Sequence, residues 1–204
     1  MAETPFKISI PNERIDDLKQ RLALTTFPDE LDAGWEYGVP LSDMRRLIAR
    51  WKDGYDWRKH EAALNDELPQ FTRDIEVDDH GALNVHYVHK KCDVEGAIPL
   101  LFVHGCKRIV WTFIWMMLNH LVNNSFHLPG PGSFIEVKKI LPLLVRGSAE
   151  HPAFNVAAVG LPGYGFLEGP KKKGFGPAQY AEVRVSSCSS SSIFLIFLCY
   201  IGRP

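Results

Sequence analysis

The sequence has 204 residues, of which 46% are hydrophobic, with 23 basic residues against 24 acidic ones. This length suits one domain, or one domain and a fragment of another, and the apolar share is that of a globular protein with a core. The near-balance of charge excludes the basic footprint of a nucleic-acid-binding protein, so no nucleic-acid partner is expected.

Nothing in the pattern predicts a targeting segment or a membrane span. Residues 1–5 lack a basic stretch followed by an apolar one, so neither a signal peptide nor a transmembrane anchor is expected. The longest apolar runs, 109–118 and 193–201, fall short of the roughly 18–20 residues of a spanning helix. Four cysteines without a metal-binding spacing favour a reducing, cytoplasmic location and no metal: Cys92, Cys106, Cys188 and Cys199.

Helical periodicity dominates the first part of the chain. Apolar residues recur with helical spacing after Pro11 and predict an amphipathic helix over 11–24: Ile15, Leu18 and Leu22. A second helix is expected to begin at Ser42 as its N-cap and to carry four apolar side chains on one face: Met44, Leu47, Ile48 and Trp51. Asp56 is expected to cap a third helix.

The period then changes to that of strands. Residues 73–78 and 82–90 alternate around Asp79-His80-Gly81, which predicts a β-hairpin. Two later stretches are continuously apolar, as strands covered on both faces are: 98–104 and 154–160. Between them, 133–145 has a helical pattern with four residues facing inward: Phe134, Val137, Ile140 and Leu141. This order predicts an α/β sheet that becomes parallel after its first strands.

Two strand ends carry residue types from which sites are built. In open α/β sheets, sites form just beyond the carboxyl ends of strands. Here these ends are His104-Gly105 and the glycine-rich segment 160–166. Glycines let backbone N–H groups approach a ligand, although tight turns alone are the simpler interpretation of them. His86 and His89 lie on opposite faces of one strand, which argues against a shared metal, and a structural role is the simpler interpretation of each.

Several stretches resemble the microsomal-type epoxide hydrolases. The motifs are RLALTTFPDE, WEYG, YDWRKHEAALN and LPQF, followed by LLFVHG, PGSFIEV and LPGYGF. The resemblance covers roughly 1–105 and 131–182. It implies an N-terminal helical meander over 1–70, followed by an incomplete α/β-hydrolase core over 71–182 that contains a hairpin and then parallel strands.

One block interrupts the resemblance. Where the family reads His-Gly-Trp-Pro-Gly-Ser-Phe, this chain continues from Gly105 into 106–130 before PGSF begins at Pro131. The codons of Cys106-Lys107 and Pro129-Gly130 can be written with a 5′ and a 3′ splice signal. Removing the sequence between these signals keeps the frame and leaves TGG, a Trp codon, before Pro131. We interpret 106–130 as a translated intron, with a genuine lid insertion as the alternative.

A second break follows Glu182. Val183-Arg184 can again be written as a splice donor, and the residues beyond have no helical or strand pattern that continues the preceding segment. We interpret 183–204 as a non-native tail.

The resemblance implies an activity and its site. Family members look like two-step hydrolases without a cofactor, which convert a small-molecule epoxide to a vicinal diol through an aspartate ester, in detoxification and xenobiotic catabolism. An oxyanion-binding turn is matched by His104, Gly105, Pro131, Gly132, Ser133 and Phe134. A loop at the rim of the active site is matched by Pro162, Gly163, Tyr164, Gly165 and Phe166. The nucleophilic aspartate, the acid, the catalytic histidine and the lid tyrosines would all follow Glu182.

These 204 residues alone are therefore expected to be inactive, since they contain no GxDxG or GxSxG elbow. The apolar run 109–118 and an open sheet edge predict self-association or aggregation. Two alternatives stay open. The chain could belong to another α/β-hydrolase, such as a dehalogenase or an esterase, or it could be a non-catalytic binding module built on the N-terminal domain.

Overall fold

The computed structural model describes residues 3–31, 33–103, 133–148, 151–186 and 194–196, and only the backbone of 184, 185 and 194–196. The chain divides into two compact units, one of residues 8–66 and one that joins the described residues up to 7 with those described from 67 onward. The predicted domains 1–70, 71–182 and 183–204 were drawn partly from the interpretation that some segments are foreign to the family. The compact units do not test that interpretation, so these domains stay predictions.

Three helices make up most of the helical unit, residues 8–66: α1 (Asn12–Ala23), α2 (Leu41–Asp53) and α3 (Trp57–Glu67). The helix predicted over 11–24 is confirmed by α1, with Pro11 at the N-cap position. Asp56 caps α3 as predicted, since its Oδ1 accepts a hydrogen bond from the Lys59 N–H at 3.3 Å.

The prediction of Ser42 as the N-cap of the second helix is wrong. The cap position is Pro40, whose ψ of 142° is extended, and no side-chain cap hydrogen bond is present. Ser42 therefore lies inside the first turn of α2. The carboxylate of Glu30 accepts a hydrogen bond from the Leu41 N–H, so a side chain from the preceding loop satisfies one of the free N–H groups at the helix start.

A polar network joins the segment before α1 to α3. The Asn65 amide donates to the Ile8 carbonyl at 2.9 Å and accepts from the Ile8 N–H at 2.8 Å. Glu61 is buried, and its Oε1 accepts from the Ile10 N–H at 2.7 Å. This backbone hydrogen bond, with others from Arg58 and Trp57, outweighs the effect of burial and lowers the pKa of Glu61. The network attaches the irregular segment before α1 to α3 through side chains.

The face of α2 predicted to be apolar is present but exposed. No residue of α2 is buried, and Leu47 and Trp51 are 48% and 46% exposed. Within the described part of the chain, no helix combines the length and the hydropathy that crossing a bilayer requires.

The second unit is built on a six-stranded sheet. Its strands are β1 (Thr4–Pro5), β2 (Gln70–Val77), β3 (Gly81–Lys90), β4 (Ile98–Val103), β5 (Phe154–Val159) and β6 (Phe194–Ile196), in the spatial order β1-β2-β3-β5-β4-β6. β2 and β3 form the predicted hairpin, whose turn places Asp79 at φ 62° and Gly81 at φ 79°. β5 is antiparallel to β3 and parallel to β4, and β4 is parallel to β6. The predicted α/β sheet is confirmed.

The helical segment predicted over 133–145 is divided in two. A 3₁₀ helix covers Phe134–Lys139, and α4 covers Leu141–Arg146. Pro142 lies at the start of α4. A continuous helix is unfavourable there because Pro142 has no N–H to donate and its ring would clash with the carbonyl of residue 138. Of the residues predicted to face inward, Phe134, Val137 and Leu141 are buried and Ile140 is half-buried.

The core of the sheet extends past the predicted break at Glu182. The last helix, α5 (Pro177–Ser186), continues through that position, and Val183 is fully buried in the cluster that contains Val85, Leu101 and Val159. β6 also lies in the segment predicted to have no strand pattern. The expectation of no helical or strand pattern was wrong for these positions. In α5, the apolar β-branched Val183 continues the buried face of the helix beyond Glu182. The origin of 183–204 stays a prediction.

Candidate functional site

The predicted site residues differ in how far the structure describes them. His104, Gly105, Pro131 and Gly132 lie outside the described residues, so their roles stay predictions. Ser133 and Phe134 begin the 3₁₀ helix, and 162–166 lie in the loop after β5. β4 and β5 are parallel neighbours, so the carboxyl ends of these two strands lie at the same edge of the sheet.

Ser133 is a helix cap. Its side chain accepts a hydrogen bond from the Ile135 N–H at 3.2 Å, and Glu136 Oε1 accepts one from the Ser133 N–H at 3.2 Å. This capping box satisfies two free N–H groups at the start of the 3₁₀ helix. The serine of the PGSF motif therefore has a local structural role, which fixes the direction in which the following Phe134 enters the core.

The rim loop, residues 162–166, is held by its own backbone and by β3. Gly163 and Gly165 have φ of 87° and 61°, a conformation that favours glycine. The Gly163 N–H donates to the Glu168 carbonyl at 3.1 Å, and Glu168 Oε2 accepts from the Asn84 N–H of β3 at 2.9 Å. Pro162 is buried, whereas Tyr164 is 51% exposed. The loop thus presents a tyrosine to solvent on a fixed turn.

A buried histidine joins the two motifs. We call His86, Gln70, Phe6, Phe134 and Phe166 the His86 cluster. The His86 ring is fully buried, and its centroid lies 4.7 Å from that of Phe6, 4.8 Å from Phe134 and 5.4 Å from Phe166. All three contacts are edge-to-face, the geometry that aromatic rings prefer. The structure therefore brings Phe134 of the PGSF motif and Phe166 of the rim loop against one imidazole.

The imidazole of His86 is neutral near pH 7. Burial lowers its pKa to about 4 because a charged ring would be costly among apolar groups. Nε2 lies 2.9 Å from Gln70 Oε1, so this nitrogen carries the proton and donates it to the amide oxygen. Nδ1 is buried and has no hydrogen-bond partner among the described residues. A neutral ring in this position packs and orients its neighbours and carries no charge to the site.

A second polar cluster lies next to β1, where Glu3 contacts Tyr87 and His89 of β3. Glu3 Oε1 accepts from the Tyr87 hydroxyl at 2.9 Å and pairs with His89 Nδ1 at 2.7 Å. Burial opposes ionisation of Glu3, but hydrogen bonds from Tyr87 and His89 outweigh it and lower the pKa of Glu3. Burial and the carboxylate of Glu3 raise the pKa of Tyr87 far above its usual range. His86 and His89 thus have separate partners, and no group of three or more potential metal ligands occurs within the described ranges.

Comparison with known proteins decides the family. The family model described as the epoxide hydrolase N terminus matches residues 3–113, more than half of the 204 residues. The chain belongs to the epoxide hydrolase family. Epoxide hydrolase 1 of Sus scrofa is 32% identical to it over 188 residues, which cover 88% of this chain and 35% of the relative. Juvenile hormone epoxide hydrolase 2 of Ctenocephalides felis is 32% identical over 184 residues, with 88% and 33% covered.

A solved epoxide hydrolase also has this fold. The chain matches the structure of an enantioselective mutant of the Aspergillus niger enzyme with a TM-score of 0.68 and 30% identity. The match covers 92% of this chain and 42% of that one. The chain spans about a third of the length of the two curated relatives. Both the family resemblance and the expected fold class are confirmed.

The sequence of this epoxide hydrolase family member revealed the two motifs, PGSF and LPGYGF. It did not reveal that Phe134 and Phe166 both contact His86. A structural role was the simpler interpretation of His86, and its contacts agree with that interpretation. The signal available in the sequence was the pattern Asn84-Val85-His86-Tyr87-Val88, which puts an imidazole on the strand face between Asn84 and Val88. Nothing local indicated that Phe6, about eighty residues away, would lie against it.

Proposed function

We propose that the enzyme to which this chain contributes adds water to a small-molecule epoxide and releases a vicinal diol. The family match over residues 3–113 is the observation that carries this proposal. The arrangement of the sheet supports it, because two family motifs follow the parallel neighbours β4 and β5, and sites of α/β sheets form beyond such strand ends. Detoxification and a cytoplasmic location are parts of the same proposal.

The proposed route has two steps and needs no metal or organic cofactor. An aspartate oxygen attacks an epoxide carbon, the ring C–O bond breaks, and the epoxide oxygen takes a proton from a lid tyrosine. Water, deprotonated by a histidine, then attacks the ester carbonyl. The tetrahedral intermediate breaks its bond to the diol oxygen, which takes the proton from the histidine, and the second proton of the water returns to the tyrosine. The tetrahedral oxyanion of this second step would be held by backbone N–H groups, one of them from the turn that contains His104 and Gly105.

We further propose that 106–130 is foreign to that turn. The described flanks agree with this view. β4 extends to Val103, the last described residue before the motif histidine, and Ser133 caps the helical turn that starts at Phe134. Each flank therefore has the local structure that a short connection from strand to helix requires. A polypeptide with the block in place would lose an oxyanion donor, which typically reduces the rate by about 10²–10³.

The 204 residues alone are expected to form no diol from styrene oxide above the uncatalysed rate, because they contain no nucleophile elbow. Chromatographic detection of phenylethanediol measures this outcome. The matched comparison is a longer chain in which Gly105 joins Pro131 through one tryptophan and the sequence continues past Glu182, which is expected to form the diol. Diol formation by the 204-residue chain would contradict the proposed inactivity.

Two other functions make different predictions in the same experiment. If the longer chain hydrolyses a chloroalkane or p-nitrophenyl acetate but not styrene oxide, the dehalogenase or esterase alternative is correct. If the 204-residue chain is monodisperse in sedimentation, the non-catalytic module gains support. We propose instead that it self-associates, because the apolar run 109–118 has no partner in the family motif.

A further inference from the structure

The helical unit carries a groove that the proposed hydrolysis does not use. It has a volume of about 600 Å³ and is lined by Ile15 and Leu18 of α1, Leu47 and Trp51 of α2, and Trp57 of α3. This volume lies within the roughly 300–1,000 Å³ of protein sites for small ligands. The lining is overwhelmingly apolar, so an apolar chain that entered it would be removed from water, and this burial is favourable.

Two arginines are the charged residues among those that line this groove. Arg14 and Arg50 both line it, and no carboxylate does so among the described residues. Neither arginine has an ion-pair partner in the described part of the chain. By contrast, Arg21 on α1 pairs with Asp17 at 3.1 Å, and Arg46 on α2 pairs with Asp43 at 2.9 Å. Two arginines outside the groove are thus paired with carboxylates, and Arg45 of α2 lies over the Phe27 ring at 5.1 Å, whereas the two that border the groove have neither kind of partner among the described residues.

We propose that the groove binds a single-chain amphiphile with a carboxylate head, such as a fatty acid. Its hydrocarbon tail lies against Trp51 and Trp57, and its carboxylate accepts hydrogen bonds from Arg14 and Arg50. Arginine binds carboxylates in a bidentate, charge-assisted manner, which gives the site its preference for an anion. A bilayer surface is a poorer occupant, because the apolar residues line a concave groove and an interfacial helix inserts a projecting apolar face. The proposal is independent of epoxide chemistry.

Isothermal calorimetry on the 204-residue chain tests the site with two probes that share one tail. Laurate and dodecyltrimethylammonium are compared, each below its critical micelle concentration and at a pH where laurate is ionised. Laurate is expected to saturate one site and to bind at least about tenfold more tightly than the cation, a preference of the size that one or two charge-assisted hydrogen bonds produce.

Variants of the groove separate charge from apolar contact. The double variant Arg14→Gln, Arg50→Gln is expected to weaken laurate binding at least about tenfold. The control is Arg46→Gln, which changes an arginine of α2 that is paired with Asp43, and it is expected to leave laurate binding unchanged. Both groove arginines are exposed, so the double variant keeps its helices in circular dichroism. Leu47→Glu places a carboxylate in the groove at a half-exposed position. This change is expected to abolish laurate binding and to favour the cation.

Several results would overturn the proposal. The first is absence of laurate binding. The second is equal affinity of the parent chain for laurate and for dodecyltrimethylammonium. The third is a double arginine variant that binds laurate as tightly as the parent chain does. If phosphatidylserine vesicles bind but monomeric laurate does not, the groove is a bilayer contact. A dimer that Leu47→Glu dissociates, without laurate binding by the parent chain, would assign the groove to a second copy. The proposal stands if laurate binds and the Leu47→Glu variant reverses the preference.

Discussion

Replacing Phe134 with alanine is expected to lower the free energy of unfolding by about 3–5 kcal/mol, the usual range for a buried phenylalanine. Phe134 is only 4% exposed, and its ring lies 4.8 Å from His86 and 6.2 Å from Phe166. The substitution leaves a cavity at the point where the start of the 3₁₀ helix, the rim loop and β3 meet. Urea unfolding followed by circular dichroism measures the loss.

Ile135 provides the matched control for this change. It is the next residue of the same 3₁₀ helix but is 44% exposed, so Ile135→Ala is expected to cost less than about 1 kcal/mol. Equal losses for the two variants would mean that Phe134 does not anchor the PGSF segment to the His86 cluster. A midpoint shift confined to Phe134→Ala would support the junction as described.

Acidification from pH 7 to pH 5 is expected to lower the free energy of unfolding by about 2 kcal/mol through His86 alone. The pKa of His86 is about 4 in the folded chain against an ordinary value of 6.5. Between these values the unfolded chain binds more protons than the folded chain, so stability falls as the pH falls. The contribution is complete above pH 6.5, is lost progressively below it, and levels off below about pH 4.

His86→Gln removes the ionisable ring and keeps a neutral polar side chain. Between pH 7 and pH 5, the free energy of unfolding of this variant is expected to fall by about 2 kcal/mol less than that of the parent chain. His151→Gln serves as the control, because His151 is exposed in the segment before β5. Identical pH profiles for the parent chain and His86→Gln would show that His86 is not held neutral by burial.

The elements that the sequence predicted correctly are those with a local cause. Helical spacing at Ile15, Leu18 and Leu22 predicted α1, and alternation around Asp79 predicted the hairpin, because each pattern has one solution that buries its apolar face. Continuous apolar runs predicted β4 and β5. Their order in the sheet was not predictable locally, since β5 pairs between β3 and β4 only after the helical segment has crossed the sheet.

Two helix boundaries were predicted wrongly because a single residue overrode the sequence pattern around it. Ser42 is a good N-cap residue, but Pro40 ends the extended segment two residues earlier, and Glu30 supplies the hydrogen bond. The pattern over 133–145 is helical throughout, yet Pro142 divides it. In both cases a proline, whose φ is fixed and which lacks an N–H, determined the boundary. Propensity and periodicity average over several residues and do not locate such a boundary.

The site was predictable only as far as its motifs extend. PGSF and LPGYGF were found from the resemblance, and Ser133, Phe134 and Phe166 have defined places in the structure. The contact between them through His86 joins residues that are distant in the sequence. It depends on burial and ring orientation, which no single-sequence pattern encodes. The unpaired arginines of the groove on the helical unit were missed for a related reason, because their pairing depends on rotamers and not on spacing.

The interrupted turn is the central claim, and sequencing of the mature transcript tests it most directly. We expect reads in which the Gly105 codon is followed by TGG and then by the Pro131 codon, and which continue from Glu182 into a GxDxG elbow. If the dominant mature transcript instead carries the codons for 107–129 as ordinary coding sequence, the block is a natural insertion and the account of this turn is wrong.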